Sequence, residues 1–430
     1  MNAQRTKQAV VYVSALIFLT LGFYGNTWKS THRNWFRDFA QGTQAKVIAR
    51  LAKSRQDGIF SEGGLLGREV IIPENKNTLP YQYEIYYNNI PIQHYRIYKS
   101  TPAMQGIIFS ILDRYLGLDA RTNVKIFRLI ASIISASILG IFLLWVLDIF
   151  GPFSALMTLV LIMLSPWLTV SGGNLFWMFG MIYLPFVIPL ILLHREYKGG
   201  KLTQRIWIPG ISSAVLLKCL FTGYEFITTT LVMMTIPLFF YALWQKWKPR
   251  LFIQRFLSAS FAGILGILAC AVILSLQIAQ VEGSMQKGLE HIQQRFLYRT
   301  YPKEGYIKKE VPQMVKDTQN VPVTTVLKTY LGGKAFSIST RYKDFNLSFG
   351  SLLLIFAAFS AIIFITAKNS ALVALTITSW VSILAPLSWF IIFKSHSVLH
   401  THLDYLTWYM PTFLLVFVSI SSLKNSLRKT

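Results

Sequence analysis

The chain has 430 residues, 53% of them hydrophobic and only 14% charged, with a formal net charge of +24. Its apolar residues gather into long runs rather than dispersing, which excludes a soluble fold of two or three domains. So basic a composition would suggest nucleic acid in a soluble protein. Here much of the charge has a topological meaning, and no nucleic-acid partner is expected.

Ten runs approach or reach the length needed to cross about 30 Å of hydrocarbon. They lie at 10–24, 126–147, 153–170, 175–193, 206–220, 227–244, 256–278, 352–366, 371–393 and 406–418. The run at 206–220 is the weakest, because it carries Lys218 near one end. The first run lacks a small-residue cleavage site and reads as a retained span rather than a signal peptide. Cys219 and Cys270 fall inside spans and read as buried thiols, with no disulfide or zinc pattern. The fold class expected is an all-α polytopic membrane protein of about ten transmembrane helices, with residues 1–430 as one integral membrane domain.

Orientation follows from lysine and arginine in the short connections. Arg5 and Lys7, Arg195 to Arg205, Lys246 to Arg255, and Lys424, Arg428 and Lys429 all fall on one side if there are ten spans. That side is expected to be cytoplasmic and to hold both termini. A bacterial inner membrane is the expected location. Two large loops, 26–123 and 280–349, and the short turn 394–405 then share the outer face. Six of the seven histidines fall in these segments. Residues 26–104 and 280–349 each carry 11 Lys/Arg against 6 Asp/Glu, so anionic substrates or acidic headgroups are expected there.

Within the first loop, residues from Ala40 to about Arg55 read as an amphipathic helix with Val47, Ile48 and Leu51 on one stripe. Such a helix is expected to lie in the membrane interface. Asp38 stands just before it, where a carboxylate suits an N-cap. The same place also holds a carboxylate just above the membrane. Residues 81–98, rich in tyrosine and isoleucine, read as irregular chain or short strands. A helix from near Pro102 is expected to stop at Gly117.

The order of several short motifs carries a resemblance. Asp38 after the first span is followed by the helix ending at Gly58, then Tyr98-Lys99-Ser-Thr-Pro102 and Tyr115-Leu-Gly117. Next come Arg128 at the start of the second span and Leu164-Ser-Pro-Trp167 near the third. Over about residues 10–195 the chain resembles the GT-C superfamily of membrane glycosyltransferases, in the branch of protein mannosyltransferases and lipid A aminoarabinose transferases. That resemblance implies Asp38 as the catalytic acidic residue and Lys99 at the phosphate of a lipid-linked donor. Many relatives have an Asp-Glu pair, whereas Phe39 follows Asp38 here. There is no Asp-x-Asp, so no metal ligands are named; a divalent ion is left open without a motif to support it, and no other cofactor is expected.

A polyprenyl-phosphate sugar needs a base for the acceptor and cations for the departing phosphate. Asp38 is the expected base, with Glu62 or Glu225 as a second carboxylate. Lys99, Arg96, Arg295 and Arg299 are the phosphate candidates. His291, Arg295 and Arg299 recur at i, i+4 and i+8 of an expected helix 282–299, one basic face. A solvated or headgroup-bound face explains the same spacing. Tyr98, His396, His400 and His402 are further substrate-binding candidates, the histidines equally serving to cap spans nine and ten. Lys218 and Glu225 either serve a site or pair with each other. The acceptor expected is an anionic glycolipid, a glycan or a protein. Two rivals are an O-antigen polymerase or ligase type using Arg and His of the second loop, and a lipid flippase or transporter.

Overall fold

The structure is a computed structural model and describes residues 2–300, 313–339 and 344–427. The chain is a helical polytopic membrane protein. Among the described residues eight helices are long and apolar enough to cross a membrane, or up to ten if each of two bent pairs is one span. The ten expected runs all overlap these elements. The two least regular are the third and tenth runs; the weakest by sequence, 206–220, forms a continuous helix.

Helix α1 (Asn2–Gly25) leads into a short α2 (Arg33–Asp38) and then α3 (Gln41–Asp57). Strand β1 (Leu66–Glu69), α4 (Thr78–Tyr87), β2 (Tyr95–Tyr98) and α5 (Met104–Leu116) complete the first large segment. β1 and β2 pair antiparallel, with Leu66 opposite Tyr98 and Glu69 opposite Tyr95. Residues 81–98, expected as irregular chain or strands, thus begin in a helix and end in a strand.

Two expectations for this segment are corrected. Asp38 does not cap α3: the N-cap is Ala40, in a left-handed conformation with no side-chain bond, and Asp38 ends α2. Its carboxylate accepts from Arg37 Nε at 2.7 Å and Gln41 Nε2 at 2.9 Å instead. Nor does α3 lie with its apolar stripe outward. Val47, Ile48 and Leu51 are fully buried, packed with α4, α5 and β1. Arg50 on the same helix is also buried and donates to the carbonyls of Ser61 and Ile59, both at 2.6 Å. The outward apolar stripe belongs to α5, where Ile108, Ile111 and Tyr115 are exposed while Phe109 and Asp113 are buried.

A second buried knot fixes α5. Asp113 accepts from Arg55 at 2.6 and 2.9 Å, from Asn123 at 2.7 Å and from Tyr86. Three residues from separate segments therefore hold one carboxylate, which orders the segment above the bundle.

The spans follow. α6 (Ala120–Phe150) is capped by Asp119 and ends at Gly151, whose φ of 87° suits glycine. α7 (Pro152–Met163) and α8 (Pro166–Gly172) meet at a 74° bend, where Ser165 caps α8 and Pro166 takes its first turn. The Leu164-Ser-Pro-Trp167 motif is thus a helix break. α9 (Phe179–Tyr197), α10 (Gln204–Thr222), α11 (Ile227–Met233), α12 (Ile236–Trp244) and α13 (Pro249–Glu282) continue the bundle. After α13, the chain turns at Gly283 into α14 (Met285–Thr300), which packs on α13.

Then come α15 (Gln313–Asp317), α16 (Val323–Gly332) and the hairpin of β3 (Lys334–Ser339) and β4 (Asp344–Ser348). α17 (Phe349–Thr366), α18 (Ser370–Val381) and α19 (Leu384–Ile392) are apolar. The expected polar turn 394–405 is largely helical, as α20 (Lys394–Leu399) and α21 (Thr401–Asp404). The chain ends in α22 (Thr412–Leu427), joined to the preceding turn at a 43° bend. Arg428, Lys429 and residues 301–312 of the second expected loop lie outside the described residues.

Candidate functional site

Segments expected on one face converge on a single cavity of about 260 Å³. α3 contributes Thr43 and Lys46, and the end of β2 contributes Tyr98 and Ser100. Phe176 and Trp177 come from the short loop between α8 and α9, held by Asn174, whose Oδ1 accepts from both backbone N–H groups. Glu225 comes from the turn between α10 and α11, Arg295 and Arg299 from α14, and His396 and His400 from α20 and its end.

Glu225 is the electrostatic centre. It is buried, and its Oε1 lies 2.5 Å from Arg299. Its Oε2 lies 3.5 Å from His396 Nε2. Burial works to raise this carboxyl, but Arg299, then His396, His400 and Lys218, outweigh it and hold it down at about 2. Glu225 is therefore an anion at neutral pH and a poor proton acceptor.

The turn that presents Glu225 is unusual. Gly223 sits at φ 62° and ψ −146°, a region open essentially to glycine, and a Cβ there would meet the Ser100 carbonyl at 2.6 Å. Phe226 is left-handed as well. Lys218, fully buried in the last turn of α10, donates to the carbonyls of Gly223, at 3.0 Å, and Glu225. The expected Lys218–Glu225 pairing is thus made to the backbone of Glu225, while its carboxylate turns to Arg299. An ammonium against the carbonyls that end a helix satisfies groups that would otherwise be orphaned.

Opposite stand the cations. Lys46 lies 3.7 Å from the ring centroid of Tyr98. Burial first, and then the neighbouring charge of Arg68, push its ammonium down to about 8, Glu225 acting in the other direction. Arg295 lies one turn before Arg299 on the same face of α14. Cations set against aromatic walls suit an anion whose remainder is apolar or a sugar.

The histidines form the third wall. His396 Nδ1 lies 3.6 Å from the buried Asp404, which accepts from Trp389 Nε1 at 2.7 Å. His396 thus stands between two carboxylates. The ring of His400 is 4.3 Å from that of His396. Burial first, and then His396, push His400 down to about 4, so it is neutral at pH 7.

The remaining candidates lie elsewhere. Asp38 is 47% exposed and does not line the cavity; its bond to Arg37 draws it below the ordinary carboxylate range. Lys99 pairs with Glu282 at the end of α13. Glu62 occupies the left-handed turn Ser61–Gly64. Arg96 is in β2, opposite Arg68, and neither His291 nor His402 lines the cavity. Sequence reasoning missed Lys46, Phe176 and Trp177 as lining residues. Lys46 was legible only as one of several basic residues on a helix, and the two aromatics read as part of a span. Among the described residues no group of three or more His, Cys, Asp or Glu could hold a metal ion.

The class that fold and cavity define is an integral membrane protein with a basic, aromatic-walled cavity built from its non-spanning segments and helix ends. No family model, no curated protein and no solved structure matches the chain.

Proposed function

We propose that the protein is a glycosyltransferase that uses a polyprenyl-phosphate-linked sugar, with the donor phosphate in this cavity. The observation that carries the reading is the joining of Lys46, Arg295 and Arg299 around one aromatic-walled space in a protein of apolar helices. A lipid phosphate presents a compact anion on an apolar chain, which matches that combination of walls. The order of motifs resembling GT-C enzymes supports the same class. The acceptor proposed is an anionic glycolipid, a glycan or a protein. Lysine and arginine in the short connections support a cytoplasmic side for both termini, with the cavity on the other side of a bacterial inner membrane.

A second reading keeps the lipid-linked donor and changes the machinery to a glycan polymerase or ligase type. It is favoured by Arg295, Arg299, His396 and His400 lining the cavity while Asp38 does not. The two are separated by the lipid product that the purified protein releases: polyprenyl phosphate from polyprenyl-phosphate sugars, or polyprenyl diphosphate from polyprenyl-diphosphate sugars. The first reading expects monophosphate donors to be consumed. Consumption of diphosphate donors alone supports the second. Release from neither donor type removes both.

A further inference from the structure

We infer that His400 is the general base of this site, taking the proton of the acceptor hydroxyl that attacks the lipid-linked sugar. The inference rests on the lipid-phosphate reading above and assigns a role that the order of motifs gives to Asp38.

Geometry comes first. His400 lines the same cavity as Lys46, Arg295 and Arg299, so a sugar whose phosphate meets those cations lies within the space the imidazole faces. Its Nδ1 is buried and makes no hydrogen bond, which leaves Nε2 as the nitrogen that can meet a hydroxyl in the cavity. The carboxylates near it are engaged. Glu225 is held by Arg299, and Asp404 by Trp389. His396 Nδ1 likewise makes no hydrogen bond, but that ring lies between the two carboxylates at 3.5 and 3.6 Å, whereas His400 has no carboxylate at such a distance. Asp38 stands in solvent with Arg37.

Electrostatics then favours the imidazole. Burial and the adjacent His396 oppose the charge of His400 and keep it neutral, against weaker support from Asp404 and Glu225, with His402 opposing. A bound phosphate anion reverses that balance and makes the ring a stronger base. As the sugar–phosphate bond breaks, the phosphate gains a further negative charge and the imidazolium is stabilised further. Asp38 gains little of this in solvent, where charges are screened.

The step balances. The acceptor oxygen forms a bond to the anomeric carbon, and the bond from that carbon to the phosphate oxygen breaks. Its electron pair leaves on the phosphate, facing Lys46, Arg295 and Arg299. The hydroxyl proton passes to His400, which later returns it to water.

Two readouts on the full-length protein in lipid nanodiscs test this. Calorimetric titration with farnesyl phosphate near pH 5, in two buffers of different ionisation enthalpy, counts the protons taken up on binding. Wild type is expected to take up about half a proton more than His400→Asn, because ligand ionisation is common to both. The affinity of the variant is expected to stay within about threefold. With farnesyl-phosphate-linked hexoses and pentoses, His400→Asn is expected to lose about 10²-fold or more in kcat. Equal proton uptake by the two proteins overturns the inference, and so does full turnover by His400→Asn with loss in Asp38→Asn. Binding of farnesyl phosphate that is absent, or indifferent to Arg295→Gln, instead removes the lipid-phosphate reading on which the inference stands.

Discussion

Glu225 and Arg299, on opposite sides of α11, α12 and α13 in the chain, meet at 2.5 Å with both side chains largely buried. A buried pair is costly to break from one side, because the partner is left charged without compensation. Glu225→Gln alone and Arg299→Gln alone are each expected to destabilise by about 3 kcal/mol or more. The double variant is expected to recover part of that loss. Thermal unfolding of the four proteins checks it; strictly additive losses contradict a direct pair.

Acid is expected to weaken the same region. Glu225 sits at about 2 in the folded protein against an ordinary 4.5, so its stabilisation is present above about 4.5 and is lost as pH falls toward 2. His400 sits at about 4 against 6.5, so the unfolded chain takes up its proton first and stability also falls between 6.5 and 4. Both act in one direction. Unfolding temperatures measured from pH 7 to pH 4 are expected to decline, with a shallower decline from 6.5 to 4 in His400→Asn.

Lys46 predicts an alkaline limit on anion binding. Its ammonium is charged below about 8, and a bound anion favours the charged form further. Farnesyl phosphate affinity is therefore expected to fall as pH rises through 8, by up to about tenfold per unit. Lys46→Met is expected to bind more weakly at pH 7 and to show no such fall. A pH-independent wild type from 7 to 9.5 contradicts this.

The turn behind Glu225 predicts two structural sensitivities. Gly223→Ala places a Cβ against the Ser100 carbonyl at a backbone angle that disfavours any side chain, and is expected to lower the yield of folded protein sharply. Lys218→Met leaves two carbonyls without their donor and is expected to cost about 1–3 kcal/mol. It is also expected to weaken farnesyl phosphate binding, since the turn presents Glu225 to Arg299. Unchanged binding in a folded Lys218→Met protein contradicts that coupling.

The spans were legible because burial in hydrocarbon demands unbroken apolar runs, and no other constraint competes over such lengths. Even 206–220 was readable, although its lysine is turned inward onto carbonyls rather than snorkelling. The repeat of His291, Arg295 and Arg299 predicted a helix, and Arg295 and Arg299 indeed share the cavity wall. What local pattern could not give was where the apolar stripe of α3 would face. α3 is covered by α4 and β1, whose pairing with β2 is a long-range event. Asp38 was misplaced as a cap for the same kind of reason. The left-handed Ala40 makes its own start to α3, and Arg37 and Gln41 occupy the carboxylate. Lys46 and the aromatic pair Phe176–Trp177 become cavity walls only through tertiary packing.

Equilibrium binding of farnesyl phosphate to the full-length protein in nanodiscs, with Arg295→Gln alongside, tests the central claim most directly. Arg295 has no ion pair among the described residues, so its loss leaves no buried carboxylate without a partner. The account predicts saturable binding by wild type, weakened by about tenfold or more in Arg295→Gln, with little change in unfolding temperature. Equal affinity in the two proteins, or no saturable binding to wild type, contradicts a lipid phosphate in this cavity.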